Sequence, residues 1–279
     1  RRYKFGHNVN IPITNEHQYH MHNEYELFYF LDGSAQYQIE NTIYPLSRGD
    51  LLFIRPRVFH CLIPLKQIEH DRYVIQFKEQ SIPDLLRPSI CDLPAVCNIF
   101  NGSHVHRQFE YVGRMKERIT RPEFELLLDH LLGEVLLELK YIPLTQHHHP
   151  VCGNEMLTDI LRFIEQHPNV PMDISSISER YFVSRSWLEH TFRNQMGMSV
   201  TQYIRVKKIL YAQTLIQNGL PPTLAAQYCS YDNYSTFYRN YKKINRLKIL
   251  NVDSVLLMLE IPKTNDKKEL AAEQLFASL

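Results

Sequence analysis

Several features that would reveal a protein's class at once are missing from this chain of 279 residues. No apolar run reaches the length of about 18 residues that a membrane-spanning helix needs, and no secretory leader is recognisable, so we expect a cytoplasmic protein. The five cysteines are scattered and fit no metal-binding spacing, which favours reduced thiols over a disulfide framework. A net charge of only +1 does not by itself indicate a nucleic-acid partner.

What the chain does contain, in residues 173–243, is a pattern typical of two helix-turn-helix units. In the first unit Ile174, Ile177 and Tyr181 have helical spacing. Ser184 then stands where a cap would begin a second helix. The buried side of that second helix would consist of Trp187, Leu188, Thr191 and Phe192.

The second unit begins near Thr223, turns at Ser230 and continues as a helix from Asn233. Between the two units, residues 200–217 read as one long helix that Asn218 and Gly219 end. A rod of about 18 residues is roughly 27 Å long at 1.5 Å per residue. It would therefore hold two DNA-reading helices about one DNA turn, roughly 34 Å, apart.

The order of the motifs that follow the first unit is also informative. GMSVTQYIR occupies 197–205, Ala212 and Leu215 lie in the bridging helix, and YDNYSTFYRNYK occupies 231–242. This series resembles the AraC/XylS family of bacterial regulators. The resemblance implies binding of double-stranded operator DNA, an effector-binding N-terminal barrel, a homodimer and contact with RNA polymerase. The chain departs from the family at Ser230, where Gly is usual, and after Lys243, where the usual Gly, Pro and Tyr-Arg are missing.

The positive charge of the chain is concentrated in the same region. Residues 154–246 carry 11 Lys or Arg against 7 Asp or Glu, whereas residues 1–153 have a net charge of −2. On the outer faces of the second helices, Arg suits phosphate or guanine and Glu suits cytosine, although a solvated polar face is the alternative. The predicted DNA-binding residues are Arg185, Ser186, Glu189, His190, Arg193, Tyr234, Ser235, Tyr238, Arg239 and Lys242, with Lys243 available for a phosphate.

The first 110 residues have a different pattern, in which short apolar runs are separated by turn residues such as Asp32-Gly33 and Pro56. Many short strands at intervals of about ten residues are typical of a small β-barrel or sandwich. The predicted strands occupy residues 25–31, 34–39, 50–54 and 72–77.

One group of polar residues in this region is suited to binding a ligand. His20, His22 and Glu26 share parity, so an extended strand would direct all three to one face. Together with His60, they resemble the two cupin motifs, whose three His and one Glu converge as metal ligands. The second motif is degenerate, because Arg57 stands where cupin enzymes usually have Gly. Imidazole and carboxylate ligands at these spacings are able to hold a first-row divalent metal.

Three interpretations of this group stay open. In the first, which the family resemblance favours, His and Glu bind the hydroxyls of a sugar-like effector, with neither metal nor other cofactor. In the second, the three His and Glu26 are the metal ligands of an enzyme. In the third, the barrel is purely structural and its polar residues bond to one another; the regulator would then have no effector, and its barrel would only dimerise or bind another protein. The predicted effector-binding residues are His20, His22, Glu26, Phe28, Tyr37 and His60, with Phe30 as a further stacking wall.

Residues 122–141 form a helix with an apolar stripe so broad that it must be buried. Packing on the barrel and a dimer contact are both compatible with a stripe that consists of Leu128, Leu131, Val135 and Leu139. A linker with a triple His would follow and let the two domains change their mutual orientation. The predicted domains are a barrel at 1–118, a dimerisation helix at 119–141, a linker at 142–153, a DNA-binding domain at 154–246 with helix-turn-helix units at 173–194 and 223–243, and a divergent tail at 247–279.

The sequence therefore predicts an α+β multidomain protein, with an N-terminal cupin-like β-barrel followed by an all-α domain. We expect a sequence-specific transcriptional regulator, an activator and not an enzyme, that responds to a small molecule in the bacterial cytoplasm. Its predicted partners are double-stranded DNA, the effector, RNA polymerase and a second copy of the chain, without a membrane. The alternatives are a metal-dependent cupin enzyme with a fused helical domain and an effector-independent regulator.

Overall fold

Two antiparallel β-sheets form the first part of the molecule, and helices form most of the rest. The computed structural model describes residues 2–11, 19–100, 104–143, 151–152 and 154–246. The triple histidine at 147–149 and the predicted tail at 247–279 lie outside the described residues.

The larger sheet has the strand order β1 (Tyr3–Asn10), β7 (His70–Phe77), β2 (Tyr25–Asp32), β5 (Asp50–Ile54) and β8 (Val96–Asn98). The smaller sheet has the order β6 (His60–Pro64), β3 (Ala35–Ile39), β4 (Thr42–Pro45) and β9 (Val151–Cys152). The four predicted strands are confirmed as β2, β3, β5 and β7. The strand β9 falls within the predicted linker and pairs with β4.

Residues of β2 alternate between two apolar cores, which explains why this strand is apolar along nearly its whole length. Phe28 and Phe30 face the core between the two sheets. Leu27 and Tyr29 face the opposite core, which the helices α1 (Val105–Met115) and α2 (Arg121–Tyr141) cover.

The apolar stripe of α2 is buried in the second of these cores. Its residues Leu128, Leu131, Val135 and Leu139 are at most 1% exposed, as are the neighbouring Leu132 and Leu136. The stripe therefore packs on the barrel of its own chain. A dimer contact through this helix would have to use its other face.

The helical part consists of α3 (Glu155–Gln166), α4 (Ile174–Arg180), α5 (Arg185–Met196), α6 (Val200–Gln217), α7 (Pro222–Tyr228) and α8 (Tyr234–Arg246). Side chains of Asp173, Ser184 and Ser199 accept hydrogen bonds at the N-termini of α4, α5 and α6. The pairs α4–α5 and α7–α8 are the two predicted helix-turn-helix units. The helix α6 connects them with the predicted bounds.

The structure bears on two features of the sequence, which are its lack of a long apolar run and its scattered cysteines. Among the described residues, no helix has both the length and the hydropathy to cross a membrane. Cys61, Cys97 and Cys229 are buried, whereas Cys91 is exposed.

Candidate effector site and DNA-binding surface

Three histidines from two segments of the chain converge beside β2, with His20 and His22 in the first segment and His60 in the second. Ring nitrogens of His20, His22 and His60 all lie within 4.8 Å of one another. His60 is fully buried at the start of β6, and backbone hydrogen bonds of 3.0 and 2.9 Å hold His20 opposite it. The shared parity of these residues predicted that they alternate along one extended strand. That prediction is wrong, because β2 begins only at Tyr25. Pairing of His20 with β6 produces the convergence instead.

Glu26 lies next to these histidines and is 4% exposed. Its Oε2 is 3.0 Å from Nε2 of His22 and accepts a hydrogen bond of 2.8 Å from Gln76. Its Oε1 accepts a hydrogen bond of 3.3 Å from the hydroxyl of Tyr37 and lies 4.0 Å from Nε2 of His60. The carboxylate is thus held between two imidazoles and a phenol.

Burial and hydrogen bonding give these groups different protonation behaviour. Burial lowers the pKa of His60 to about 3, against the opposing charge of Glu26, so this imidazole is neutral at neutral pH. Burial is the largest influence on Glu26 and opposes its ionisation, but the hydrogen bonds from His22 and Gln76 and the electrostatic effects of His60 and His22 together outweigh it and hold the pKa of this carboxyl below its usual range. Burial would lower the pKa of His22 too, but its hydrogen bond to Glu26 and the charge of that carboxylate raise it.

Not all of the aromatic residues that were predicted to contact the effector lie beside the histidine cluster. The ring of Tyr37 stacks on that of His60 with centroids 6.1 Å apart. Phe28 packs behind Tyr37, at a centroid distance of 4.8 Å, and both rings are buried. Phe30 faces His70 instead, at 6.2 Å, in another part of the core between the sheets.

The helix α5 presents a polar face whose opposite side is buried. Leu188 and Phe192 are 0% exposed, as the helical pattern predicts. Glu189 is half-buried and lies 3.9 Å from Arg193, with which it forms an ion pair along the helix. The predicted DNA-binding residues that are exposed on this face are Arg185, Ser186, His190 and Arg193.

The helix α8 presents a similar face, with one correction to the prediction. Tyr234 does not face outward but is half-buried, with its ring 5.8 Å from that of Phe237. Residues three apart on a helix lie on one side, so Tyr234 follows the buried Phe237 into the core. Tyr238 is also half-buried. The exposed residues of the predicted set are Ser235, Arg239 and Lys242.

Both turns between paired helices contain a left-handed residue that is not glycine. Phe182 has a φ of 54° and Ser230 a φ of 59°. Ser230 therefore adopts the backbone conformation that suits glycine, which is usual at this place in the family. Its hydroxyl donates a hydrogen bond to the carbonyl of Asn169. The second turn thus keeps a left-handed geometry despite the substitution.

The barrel contacts the helical part through polar side chains around α6. The ammonium of Lys207 donates hydrogen bonds to Glu40 at 2.8 Å and to Glu165 at 2.6 Å. Arg57 donates to the carbonyl of Leu210 at 3.1 Å. Glu40 and Arg57 both have left-handed backbones, with φ of 49° and 65°. Strained residues of this kind persist where surrounding contacts stabilise them, and they often mark functional sites.

The segment 57–60 links this contact to the histidines. The amide of Arg57 donates to the carbonyl of His22 at 2.7 Å, while the carbonyl of Arg57 lies 3.4 Å from the ammonium of Lys207. The ring of Phe59 lies 5.8 Å from that of Tyr203 in α6. His60 itself belongs to the histidine cluster. One short segment therefore touches both the cluster and α6.

The sequence analysis did not identify Glu40 or Lys207 as functional residues. They are 167 positions apart, and neither belongs to a motif that would point to the other. Arg57 did carry a signal, because it replaces a Gly of the second cupin motif. The left-handed backbone of Arg57, with a φ of 65°, is a conformation that suits glycine, and the Arg side chain donates its hydrogen bond to Leu210 in α6.

Comparisons with known proteins agree with both parts of this structure. A model of AraC-like ligand-binding domains matches residues 10–136, and a helix-turn-helix domain model matches residues 177–248. The HTH-type transcriptional activator RhaR of Salmonella arizonae is 23% identical over 214 residues, which cover 72% of this chain and 73% of the relative. RhaR of Salmonella heidelberg is 22% identical over 233 residues, or 78% and 80% of the two chains.

Among solved structures, an apo form of ToxT from Vibrio cholerae is 14% identical, with a TM-score of 0.39, and covers 87% of this chain and 93% of that chain. The two matched domain models follow each other in the same order as the barrel and the paired helices. The chain therefore belongs to the AraC/XylS family, as a DNA-binding transcriptional regulator with an N-terminal ligand-binding domain and a C-terminal helix-turn-helix domain.

Proposed function

We propose that this regulator is an activator in which a small molecule bound at the histidine cluster changes how α5 and α8 meet DNA. The observation that carries the proposal is the segment 57–60, which includes His60 of the cluster and also contacts α6. Since α6 connects the two helix-turn-helix units, a shift of this segment would reach both reading helices. The relatives named as transcriptional activators support activation as the direction of control.

Effector binding would be coupled to DNA binding through the difference in free energy between two arrangements of the domains. An effector shifts such an equilibrium only by as much as it binds one arrangement better than the other. A ligand that moved His22 or His60 would displace the hydrogen bond between Arg57 and the His22 carbonyl, and with it the contacts of Arg57 to α6. The polar set His20, His22, Glu26, Tyr37 and His60 would bind the oxygen atoms of a hydroxyl-bearing effector such as a sugar.

The DNA-binding surface consists of the exposed faces of α5 and α8. Side chains near the start of a recognition helix reach base edges, while Lys and Arg farther along contact phosphates. We assign base contacts to Ser186, Glu189 and His190 in the first unit and to Ser235 and Arg239 in the second. Arg185, Arg193 and Lys242 are assigned to phosphates or guanines.

Selection of bound DNA from a random library tests this assignment. Wild-type protein is compared with His190→Ala and Arg239→Ala, whose side chains are both exposed and therefore removable without loss of the core. We expect two short blocks about one helical turn apart, each blurred by one of the two substitutions. A single block that is unaffected by Arg239→Ala would mean that α8 does not read DNA.

We also propose a homodimer that forms through the outer face of α2. Leu126, Leu137 and Tyr141 are 69%, 46% and 73% exposed there, although they are large and apolar. His130, whose side chain is 71% exposed, and Gly133 continue the row with spacings of four and three, which are typical of paired helices. Apart from the two adjacent residues and the nearby backbone of α2 itself, no heavy atom of the described residues comes within 4 Å of a Cβ built on Gly133, so a second helix has room to approach.

Light scattering on a sizing column tests the dimer. Leu137→Glu is expected to lower the measured mass from two chains to one at micromolar concentration, because it puts a charge into the paired face. Leu85→Glu is the matched control, since Leu85 is also a leucine, is 84% exposed and does not belong to α2. A monomeric wild type, or equal effects of both substitutions, would contradict this surface.

The remaining assignments follow from the proposed role as an activator. It would contact RNA polymerase at the promoter and act in the bacterial cytoplasm. We assign no enzymatic activity to the barrel, because the named relatives are transcriptional regulators.

A further inference from the structure

We propose that Glu40 takes up one proton when the barrel docks on the helical part, so that acid favours the docked arrangement of the two domains. This inference goes beyond the proposed function, because it makes a proton, and not only an effector, an input to the domain arrangement. It depends on the hydrogen bonds of one cluster of side chains between the end of β3 and the helices α3 and α6.

The cluster combines two carboxyl groups with one ammonium and one phenol. Lys207 donates hydrogen bonds to Oε1 of Glu40 at 2.8 Å and to Oε1 of Glu165 at 2.6 Å. The hydroxyl oxygen of Tyr203 lies 3.2 Å from Oε2 of Glu40 and 3.1 Å from Oε1 of Glu165. Glu40 belongs to the barrel, whereas the other three residues belong to α3 and α6. The complete cluster therefore exists only while the two domains are in contact.

The hydrogens of the cluster are one too few unless a carboxyl group is protonated. The Tyr203 hydroxyl has a single hydrogen, yet it lies at hydrogen-bond distance from two carboxyl oxygens. It donates to only one of them, so the other contact needs a hydrogen from the carboxyl group itself. Oε1 of Glu165 already accepts from Lys207, whereas Oε2 of Glu40 has no other donor among the described residues. A proton on Oε2 of Glu40 completes the chain, in which Glu40 donates to Tyr203 and Tyr203 donates to Glu165.

Burial and charge favour the same position for this proton. The side chain of Glu40 is 20% exposed, whereas that of Glu165 is 43% exposed. Two ionised carboxylates beside one ammonium would leave an uncompensated negative charge in a poorly solvated contact, which is costly. Burial raises the pKa of Glu40, and the charge of Glu165 adds to this effect while Lys207 opposes it. Burial also raises the pKa of Tyr203, so its hydroxyl keeps its hydrogen.

The other groups that face Glu40 are uncharged. The amide of Phe59 donates to Oε1 of Glu40 at 3.1 Å, and the hydroxyl of Tyr19 donates to the backbone carbonyl of Glu40. Burial raises the pKa of Tyr19 well above its ordinary value, so this phenol stays neutral. The guanidinium of Arg57 donates instead to the carbonyl of Leu210.

Docking is thereby linked to pH. A separated barrel would return Glu40 to water and to its usual pKa of 4.5, whereas the docked arrangement raises that pKa. Between these two values the docked arrangement binds one more proton. The stabilisation is fully present below the usual pKa and is lost as the pH rises through the docked value. Within this window, the ratio of docked to separated domains should fall by at most about tenfold per pH unit.

The same contact holds both the first reading helix and the connecting helix. Gln38 in β3 donates to the carbonyl of Gln195 near the end of α5 at 2.7 Å. Asn41 donates to the carbonyl of Asn154, at the start of α3, at 2.9 Å. Separation of the barrel would break these bonds together with those of Lys207. The proton would therefore act on the same helices as the effector.

The reactivity of Cys61 toward an uncharged thiol reagent measures how often the barrel separates. Cys61 lies opposite Gln38, is 4% exposed and packs in the core that contains the helical part. Burial raises the pKa of this thiol to about 12, so it reacts only after separation. The exposed Cys91 corrects for the direct effect of pH on thiols. Cys97, buried in the other core of the barrel, reports unfolding, and mass spectrometry of peptides from the full chain resolves the three rates.

We expect the rate of Cys61 relative to Cys91 to rise between pH 5 and 8. Glu40→Gln keeps an uncharged group that donates to Tyr203, so its relative rate should stay low and vary little with pH. Glu69→Gln is the matched control, because Glu69 is an exposed glutamate of the barrel outside the cluster, and it should behave as wild type. The series is repeated in an Asn41→Ala background, whose weaker docking brings slow reaction of Cys61 into range.

A relative rate that does not change with pH in wild type and in the Asn41→Ala background would overturn the proposal. So would an equal pH trend in Glu40→Gln. If the rate of Cys97 rose in parallel with that of Cys61, the barrel would be unfolding and not separating, and the proposal would again be wrong. Selection of DNA by the wild-type chain tests the proposed function independently of these results.

Discussion

Among the described residues, four that are not glycine have left-handed backbones, and they fall into two functional pairs. Glu40 and Arg57 lie at the contact between the domains, and Phe182 and Ser230 lie in the turns of the two helix-turn-helix units. This conformation costs about 1–2 kcal/mol for a residue with a side chain. Glu40, Arg57 and Ser230 use their side chains in hydrogen bonds that offset the cost. Phe182 is 96% exposed and is therefore the residue at which strain is least compensated.

Phe182→Gly is expected to stabilise the helical part. Relief of about 1–2 kcal/mol of strain exceeds the loss of about 0.5–1 kcal/mol from the greater freedom of glycine in the unfolded chain. The net gain is about 0.5–1 kcal/mol, measured as a rise in the midpoint of urea unfolding. Phe182→Ala is the control, because alanine keeps the strain. Equal midpoints for the two variants would show that the turn is not strained.

Ser230→Gly should behave differently from Phe182→Gly, although both positions are left-handed. Glycine relieves the strain at 230 but also removes the hydrogen bond from the hydroxyl to Asn169, which is worth about 1 kcal/mol. Together with the loss of about 0.5–1 kcal/mol from the greater freedom of glycine, the lost hydrogen bond nearly cancels the relief of about 1–2 kcal/mol of strain, so the unfolding midpoint should change little. A large gain would mean that the hydroxyl contributes nothing to the turn.

At the scale of single elements, α6 shows that the ends of a helix can be predicted where neighbouring residues determine them. The side chains of Ser199 and Gln202 form a capping box at its start, and the helix ends at Asn218 and Gly219. Both ends depend on residues next to the helix in sequence, which is why its predicted bounds are confirmed. The first helix-turn-helix unit was predicted for the same reason.

Strands without a local signal were not predicted. The strand β1 has a largely polar, partly exposed sequence and acquires its hydrogen bonds from β7, with Tyr3 opposite Phe77. Its existence depends on a partner about 70 residues away, which no local pattern indicates. The same limit applies to the candidate site. The residue types of the histidine cluster could be recognised from sequence, but their convergence depends on the pairing of His20 with β6 and not on strand parity.

Ser184 provides a test of local stabilisation in the first recognition helix. Its hydroxyl accepts the amide of Trp187 at 3.1 Å and so caps α5. We expect Ser184→Ala to lower the free energy of unfolding by about 1 kcal/mol. Ser186→Ala is the matched control, since Ser186 is exposed in the first turn of the same helix but does not cap it, and the change should stay within about 0.5 kcal/mol. Equal effects of both substitutions on chemical denaturation would contradict the cap.

At the scale of the whole molecule, the ion pair between Glu40 and Lys207 connects the barrel to α6. The two side chains are 20% and 11% exposed, so neither charge is well solvated. Burial raises the pKa of Glu40 above its usual value, even though Lys207 opposes this effect. The neutral, protonated form of Glu40 therefore favours the fold. That contribution is lost as the pH rises through the folded-state pKa, which lies above the usual 4.5.

Replacement of Lys207 should reveal the free-energy cost of burying the ionised carboxylate of Glu40. In Lys207→Met the carboxylate of Glu40 loses its closest cation, and we expect a loss of about 2–3 kcal/mol at pH 8, below the range of about 3–5 kcal/mol for fully buried pairs. Because the pKa of Glu40 would rise further without Lys207, the deficit relative to wild type should shrink as the pH falls toward 4.5. Urea unfolding from pH 4.5 to 8 measures this trend. In a Glu40→Gln background, the same substitution should cost less and vary little with pH, since no carboxylate is then left unpaired at that position. A deficit of constant size across this pH range would show that Lys207 contributes by packing and not by its charge.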